Sequence, residues 1–455
     1  MVKLISIIEE IISETLKLQN LSIKEIIKDD NPPFPRLIST GNGGSILVSK
    51  KIDELIIRSA DSFKQDSSLS LKYKDAEWNG LVRKAFGYAL GNINVNDDIS
   101  DSAEIIKTNI QDFLKEQVNS LGVREDIFGC TLFADTDFPV FEIGPVKFEP
   151  RLEWLQRKTK NGDVTKITSR RIEKQWQGSK QTKRKNNLEM IRERDILEVI
   201  GKCPYVCSVS TAKLSVDARL EKSAMAARLA LTSISLFWKK PTNVLDGFNL
   251  SYDREVRIQK NLSFSPGKIT LGGMKMIGMP HGPEIAREEW LGMLKDNADY
   301  FEVCGEILKY LLSGNDDQID RPKMMNVLTH SLLWFHEGCR DEIALMAIVN
   351  FAASMDSLGG TSGKKGIFKV MENRLGWNKD KSINSHSTVT FKQMTDKIYG
   401  NGRSLMIHGK NNKFGHDWSR TRGNAESIAR YCLFSCIVWA GNNPDCDDPS
   451  KLSQV

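Results

Sequence analysis

The sequence predicts an α+β protein that is mainly α, with an N-terminal mixed α/β region followed by an all-α helical bundle. Three observations carry this. Apolar residues recur at helical spacing along most of the chain. Short aromatic and β-branched runs punctuated by Gly and Pro occur only before about residue 282. Beyond that point every strong pattern is helical. A chain of 455 residues and 51.3 kDa exceeds what one hydrophobic core organises, which suggests about two or three domains.

Taken in order, Leu4, Ile8, Ile11, Ile12 and Leu16 lie at helical spacing and predict an amphipathic first helix within residues 1–28, closed by the breaker NPPFP. Helices follow over 51–65, 75–90 and 102–121, the last opened by a Ser/Asp cluster suited to capping and ended at Gly122. The runs at Cys130–Ala134 and Pro139–Pro150 read as strands of a small sheet. A helix over 188–201, a strand over Tyr205–Leu214 and an Ala-rich helix over 216–238 come next. Alternation between Asp253 and Met279 predicts two or three more strands, closed by the turn PHGP. The division expected is therefore 1–282, with a further cut near 125–150 open, then a helical domain 283–441 and a flexible tail 442–455.

The net charge of +6 is compatible with a nucleic-acid partner without pointing to one. Between Arg157 and Arg194 basic residues outnumber acidic ones roughly three to one, which concentrates a field able to attract phosphates. This stretch reads as a solvated, partly mobile linker or, on another reading, as the main nucleic-acid surface. The apolar N-terminus is interrupted by Glu9, Glu10 and Glu14, unlike a secretory leader, and no apolar run is long enough to span a bilayer. A cytoplasmic protein without a membrane partner is expected. Eight cysteines at long spacings read as reduced thiols. Cys203 with Cys207, and Cys432 with Cys436, read as packing rather than metal ligands, and no cofactor is expected.

Chemistry concentrates in IYGNGRSLMIHGK. Arg403 and His408 frame a short segment flanked by glycines. Arginine is the preferred bidentate partner of phosphate, and histidine titrates near neutrality, so the pair can hold a phosphodiester and move protons at it. Five steps on a continuous α-helix turn roughly 500°, leaving the two about 140° apart. Cooperation therefore requires a helix start near Gly402 or two protomers pooling their motifs. Of the other histidines, His330 and His336 read as core or boundary residues, His281 and His386 as turn residues, and His416 as a lesser rival to His408. Trp290, Trp334, Phe351 and Trp439 read as core aromatics. The stretch LGGTSGKKG resembles a phosphate-binding loop only superficially, because no Ser or Thr follows its lysines and it follows a helix.

The tyrosine, the Arg-Ser pair, the aliphatic and the His-Gly pair of this element together resemble the ApeA-like branch of the HEPN (higher eukaryotes and prokaryotes nucleotide-binding) ribonucleases, over about residues 295–441. The resemblance implies a four- or five-helix bundle, with SLLWFHEGCRDEIALMAIVNFAASMDSL as its central helix pair and ESIARYCLFSCIVWA as its final helix. It implies catalytic roles for Arg403 and His408, with Ser404 as the polar residue after the arginine. Asp356 takes the acidic position of the second helix, where the family usually has Glu. It further implies a homodimer through the bundle, RNA as substrate, transfer RNA foremost, and cleavage without a metal by 2′-hydroxyl attack. Lys410, Lys413, Arg420 and Arg422 follow the motif closely and are expected to line the RNA groove. The setting implied is abortive antiviral defence, with a phage-derived trigger sensed by the front region. The alternative is a non-catalytic module that binds RNA or dimerises and regulates a partner protein.

Overall fold

The structure is a computed structural model that describes residues 2–19, 36–65, 68–92, 98–135, 138–182, 184–185, 187–253, 257–270, 272–277, 279, 281–313, 319–360, 362–383, 387–413 and 415–454. The end of the first expected helix, the NPPFP breaker and His386 lie outside them. The protein is mainly α with some β, as the apolar periodicities predict.

The chain forms two compact units, one of Met1–Arg124 with Thr211–Glu221 and one of Glu125–Ser210 with Lys222–Val455. In the first, helices α1 (Val2–Gln19), α2 (Lys50–Gln65), α3 (Asp75–Leu90) and α4 (Ile99–Ser120) enclose a core that includes Ile8, Ile11, Ile52, Phe63, Trp78, Phe86 and Ile106. Asp98 caps α4 by accepting from the amides of Ser100 and Asp101, as its Ser/Asp cluster predicts. The hairpin of β1 (Arg36–Ser39) and β2 (Ser45–Val48) is too short to show alternation in the sequence. Arg36 and Arg83 both reach the buried carboxylate of Asp53.

The second unit is built on a five-stranded sheet. Its strands are β3 (Val123–Thr131), β4 (Phe141–Ile143), β5 (Val146–Pro150), β6 (Tyr205–Ala212) and β7 (Asn249–Leu250), in spatial order β4-β5-β6-β3-β7. Strand β6 is buried on both faces over Tyr205–Val209, since successive side chains point to opposite sides and both sides are covered. Val206 faces a small cluster with Trp154, Leu155, Ile172 and Ile200. Tyr205, Cys207 and Val209 face the main core. That small cluster comes from α5 (Arg151–Lys160), α6 (Lys166–Trp176) and α7 (Asn187–Ile200).

The basic segment is therefore not a linker. It is mostly helical and covers one face of the sheet, and much of its charge is answered internally. Arg157 bonds Glu149 and Glu125, Lys158 bonds Glu125, and Arg171 and Arg184 both reach Glu193.

On the other face lie α8 (Val216–Ser235), α9 (Pro241–Leu245) and, after two antiparallel strand pairs, the helices beyond residue 282. Those pairs join β8 (Arg257–Lys260) to β11 (Met274–Ile277), and β9 (Ser263–Ser265) to β10 (Lys268–Thr270), four short strands where two or three are expected. The bundle comprises α10 (Arg287–Asp296), α11 (Ala298–Ser313), α12 (Pro322–Arg340), α13 (Ala344–Leu358), α14 (Lys364–Leu375) and α15 (Phe391–Thr395). A π-helical stretch (Asp396–Ser404), one α turn α16 (Leu405–Ile407) and α17 (Ser419–Gly441) complete it.

The boundary expected at 282 is not a domain boundary, because one core runs from Phe128 to Leu452. Trp290 of α10 packs against Phe133 and Phe141 with centroids 5.0 and 5.1 Å away. A Cβ on Gly305 of α11 would lie 2.9 Å from Gly144 Cα in the β4–β5 turn, so sheet and bundle meet backbone to backbone. The expected flexible tail is also ordered. Leu452, in the short 3-10 turn Pro449–Ser453, is fully buried, and Arg374 bonds the carbonyls of Lys451, Leu452 and Gln454. Two further expectations fail, since Trp334 and His330 are exposed. His336 is buried and meets the Thr232 hydroxyl at 2.8 Å. Among the described residues no helix is long and apolar enough to cross a membrane.

Candidate active site

Phe391 opens a helix whose N-terminus is closed by a capping box, in which Thr390 accepts from Gln393 N–H and Gln393 accepts from Thr390 N–H. The helix then widens over Asp396–Ser404, where Leu405 N–H reaches back five residues to Gly400 O. It ends at His408, whose amide bonds Ser404 O. Gly409 then adopts φ +65° and donates to Met406 O, while Lys410 N–H reaches Leu405 O. This is a Schellman end, which favours glycine at that position.

The expected helix start at Gly402 is thus absent. Gly402 sits inside the π stretch, pressed against α13, where a Cβ would lie 2.6 Å from Ile348 Cγ2. Its small size serves close helix packing. The wide turn still alters the geometry argued from the sequence. Each residue of a π turn advances by less than the roughly 100° of an α-helix, which closes part of the angle between Arg403 and His408.

Two side chains hold Arg403, one from α13 and one from its own π-helical stretch. Its Nη2 lies 3.1 Å from Asp356 Oδ2 on α13, its Nη1 donates to Tyr399 Oη at 2.7 Å, and its Cζ stands 4.9 Å from the Tyr399 ring centroid. Asp356 is buried and its Oδ1 accepts from Gly363 N–H at 3.0 Å. The Arg403 side chain keeps 25% of its surface exposed, while its Nε is buried and, among the described residues, has no hydrogen-bond partner. Lys364 pairs with Asp396 at 2.6 Å beside this network.

The glycines of LGGTSGKKG acquire a structural reason here. A Cβ on Gly359 would lie 2.7 Å from Gly366 C, so the chain doubles back tightly enough for Gly363 to reach Asp356. Gly363, at φ +63°, is the N-cap residue just before α14.

The structure thus joins Arg403 to Asp356, and adds Tyr399 and Gly363. It does not join Arg403 to His408 through a hydrogen bond. His408 is exposed, and among the described residues its imidazole has no hydrogen-bond partner. Ser404 is half-buried and contributes its carbonyl to the His408 amide. Lys410, Lys413 and Arg420 are exposed and Arg422 is half-buried. The loop carrying the lysines is tied down by Asn411 Nδ2 on Asn401 O and by Trp418 Nε1 on Lys413 O, both at 2.9 Å. His416 is exposed on this loop, and Asp417 bonds Ser419 N–H instead. Tyr399 could have been found from the sequence, because four residues separate it from Arg403, the spacing at which helical side chains meet.

Cys207, Cys432 and Cys436 are fully buried, and Cys203 is half-buried. Burial raises the Cys207 thiol well above its ordinary range and pushes Cys203 up to about 11 and Cys436 up to about 12. Among the described residues no group of three or more His, Cys, Asp or Glu could hold a metal ion. No family model matches the chain, and no curated protein or solved structure matches it.

Proposed function

We propose that the protein is a HEPN-type endoribonuclease that cleaves RNA without a metal, with transfer RNA the leading substrate, in an antiviral abortive-infection system. The observation that supports this reading best is the anchoring of Arg403. A guanidinium gripped by Asp356 and backed by the Tyr399 ring, yet still reachable from solvent, suits a phosphate ligand. In the proposed reaction the RNA 2′-hydroxyl attacks its adjacent phosphate and loses its proton to a base, and the departing 5′-oxygen gains a proton. His408 serves in this proton transfer, a role worth roughly 100- to 10,000-fold. Arg403 stabilises the charge that builds on the phosphoryl oxygens. The products carry a 2′,3′-cyclic phosphate or 3′-phosphate and a 5′-hydroxyl. Lys410, Lys413, Arg420 and Arg422 hold flanking phosphates.

Within one chain Arg403 turns inward and His408 outward, and a homodimer that pools both motifs in one groove would unite them. The front unit would take the phage-derived trigger. A second reading is favoured by the same ion pair. If Asp356 occupies Arg403 permanently, the bundle binds RNA or dimerises without cutting, and regulates a partner protein. Expression separates the two. The nuclease arrests growth, and Arg403→Ala or His408→Ala relieves the arrest; equal growth of all three strains contradicts cleavage.

A further inference from the structure

We infer that Tyr399 is a positioning residue that holds the Arg403 guanidinium ready for a phosphate, with the Gly363 corner close beside the phenol. The inference rests on the ribonuclease reading and deepens it.

A free arginine side chain samples many rotamers, and fixing it requires directional partners. Asp356 alone supplies one, a carboxylate at 3.1 Å from Nη2. A single ion pair leaves the guanidinium free to pivot about that contact. Tyr399 removes this freedom in two ways, because its hydroxyl takes Nη1 at 2.7 Å and the centroid of its ring lies 4.9 Å from Cζ, within cation–π reach. The contact is a hydroxyl and not a second carboxylate, so it adds a hydrogen-bond acceptor beside the cation. A second carboxylate in its place would neutralise the site and repel phosphate.

The phenol also sits close to the Gly363 corner, where a larger residue would crowd it. Its oxygen lies 3.1 Å from where a Cβ on Gly363 would stand, and Gly363 is fixed by donating its N–H to Asp356. Asp356 therefore links both anchors, holding Arg403 directly and fixing the corner beside which Tyr399 sits. The stretch LGGTSGKKG thereby belongs to the site through its backbone and not as a phosphate loop.

The test compares wild type with Tyr399→Phe and Tyr399→Leu on an RNA oligonucleotide in EDTA, and follows the Arg403 guanidinium by nitrogen NMR in 15N-arginine-labelled protein. Tyr399→Phe keeps the ring and loses one hydrogen bond to a charged group, so kcat falls about tenfold while KM stays within about twofold. Tyr399→Leu loses more. The pH–rate profile keeps its shape in Tyr399→Phe, and Tm is unchanged. In the spectra, the slowly rotating Arg403 guanidinium of the wild type becomes fast-rotating in both variants. An unchanged kcat, a fall confined to Tm, or the loss of one limb of the pH profile overturns the positioning role, the last because it would make Tyr399 a proton donor. If wild type cuts no RNA, the ribonuclease reading fails by itself. An Arg403 signal unaltered by both substitutions then rejects the anchoring as well, and an altered one retains it.

Discussion

Arg403 draws its partners from two directions. Tyr399 is a near neighbour in sequence, whereas Asp356 arrives from α13 and is itself set by the amide of Gly363. Replacing Asp356 by Asn keeps the shape and removes the charge that opposes the guanidinium in a mostly buried place. We predict about a tenfold loss of RNA cleavage and a stability loss of about 1–3 kcal/mol, read from initial rates and from urea unfolding; full activity with unchanged stability would refute the role of the pair. Arg403→Lys should also lose at least about tenfold, because a point charge cannot grip the carboxylate and the phenol together. At this scale the sequence was informative where the chemistry is local. Arg403, His408 and the preceding tyrosine share one stretch, and Asp356 was reached only through a family resemblance. Gly402 escapes such reading, because a glycine needed for contact with Ile348 looks in the sequence like a glycine that starts a helix.

Among the elements, most helices match the apolar periodicities to within a few residues, while the basic segment departs most from expectation. A high density of Lys and Arg reads as solvated chain, yet Ile172, with Trp154 and Leu155 just before the segment, anchors it to the sheet, and its cations find Glu125 and Glu149 on the strands and Glu193 within the segment itself. Burial by itself raises the Glu125 carboxyl, but hydrogen bonds from Arg157 and Lys158 more than offset this and bring it down to about 2. A carboxyl lowered in the folded state contributes stability that is fully present above its ordinary value near 4.5 and is lost as pH falls toward about 2. The stability difference between wild type and Glu125→Gln should therefore shrink across that window, as followed by urea unfolding at each pH; a difference independent of pH contradicts the assignment. The order of the tail is hidden in the sequence for a similar reason, since one leucine among polar residues carries no periodicity. Deleting residues 442–455 exposes the site that Leu452 fills and releases Arg374. A loss of about 1.5–3 kcal/mol or more is expected on thermal or urea unfolding, and no change would show the tail to be dispensable.

For the whole molecule, the switch from strand to helix patterns near residue 282 is real, but it does not separate two cores. Trp290, Tyr300 and Phe301 complete a core begun by Phe133, Phe141 and Phe237. Aromatic contacts between distant segments leave no trace in local periodicity, so fold class was legible and the division was not. A fragment spanning 125–455 should unfold cooperatively, whereas 283–455 should aggregate or melt without a transition; a cooperative melt of the shorter piece, followed by circular dichroism, would restore the boundary. Whether the Arg403 to His408 element cuts RNA is decided most directly by product ends. Purified wild type, Arg403→Ala and His408→Ala are incubated with total RNA in EDTA and the new termini are mapped. Discrete 2′,3′-cyclic phosphate or 3′-phosphate ends with matching 5′-hydroxyls are expected from wild type alone. The same fragments from all three proteins, or no fragments from any, would contradict it.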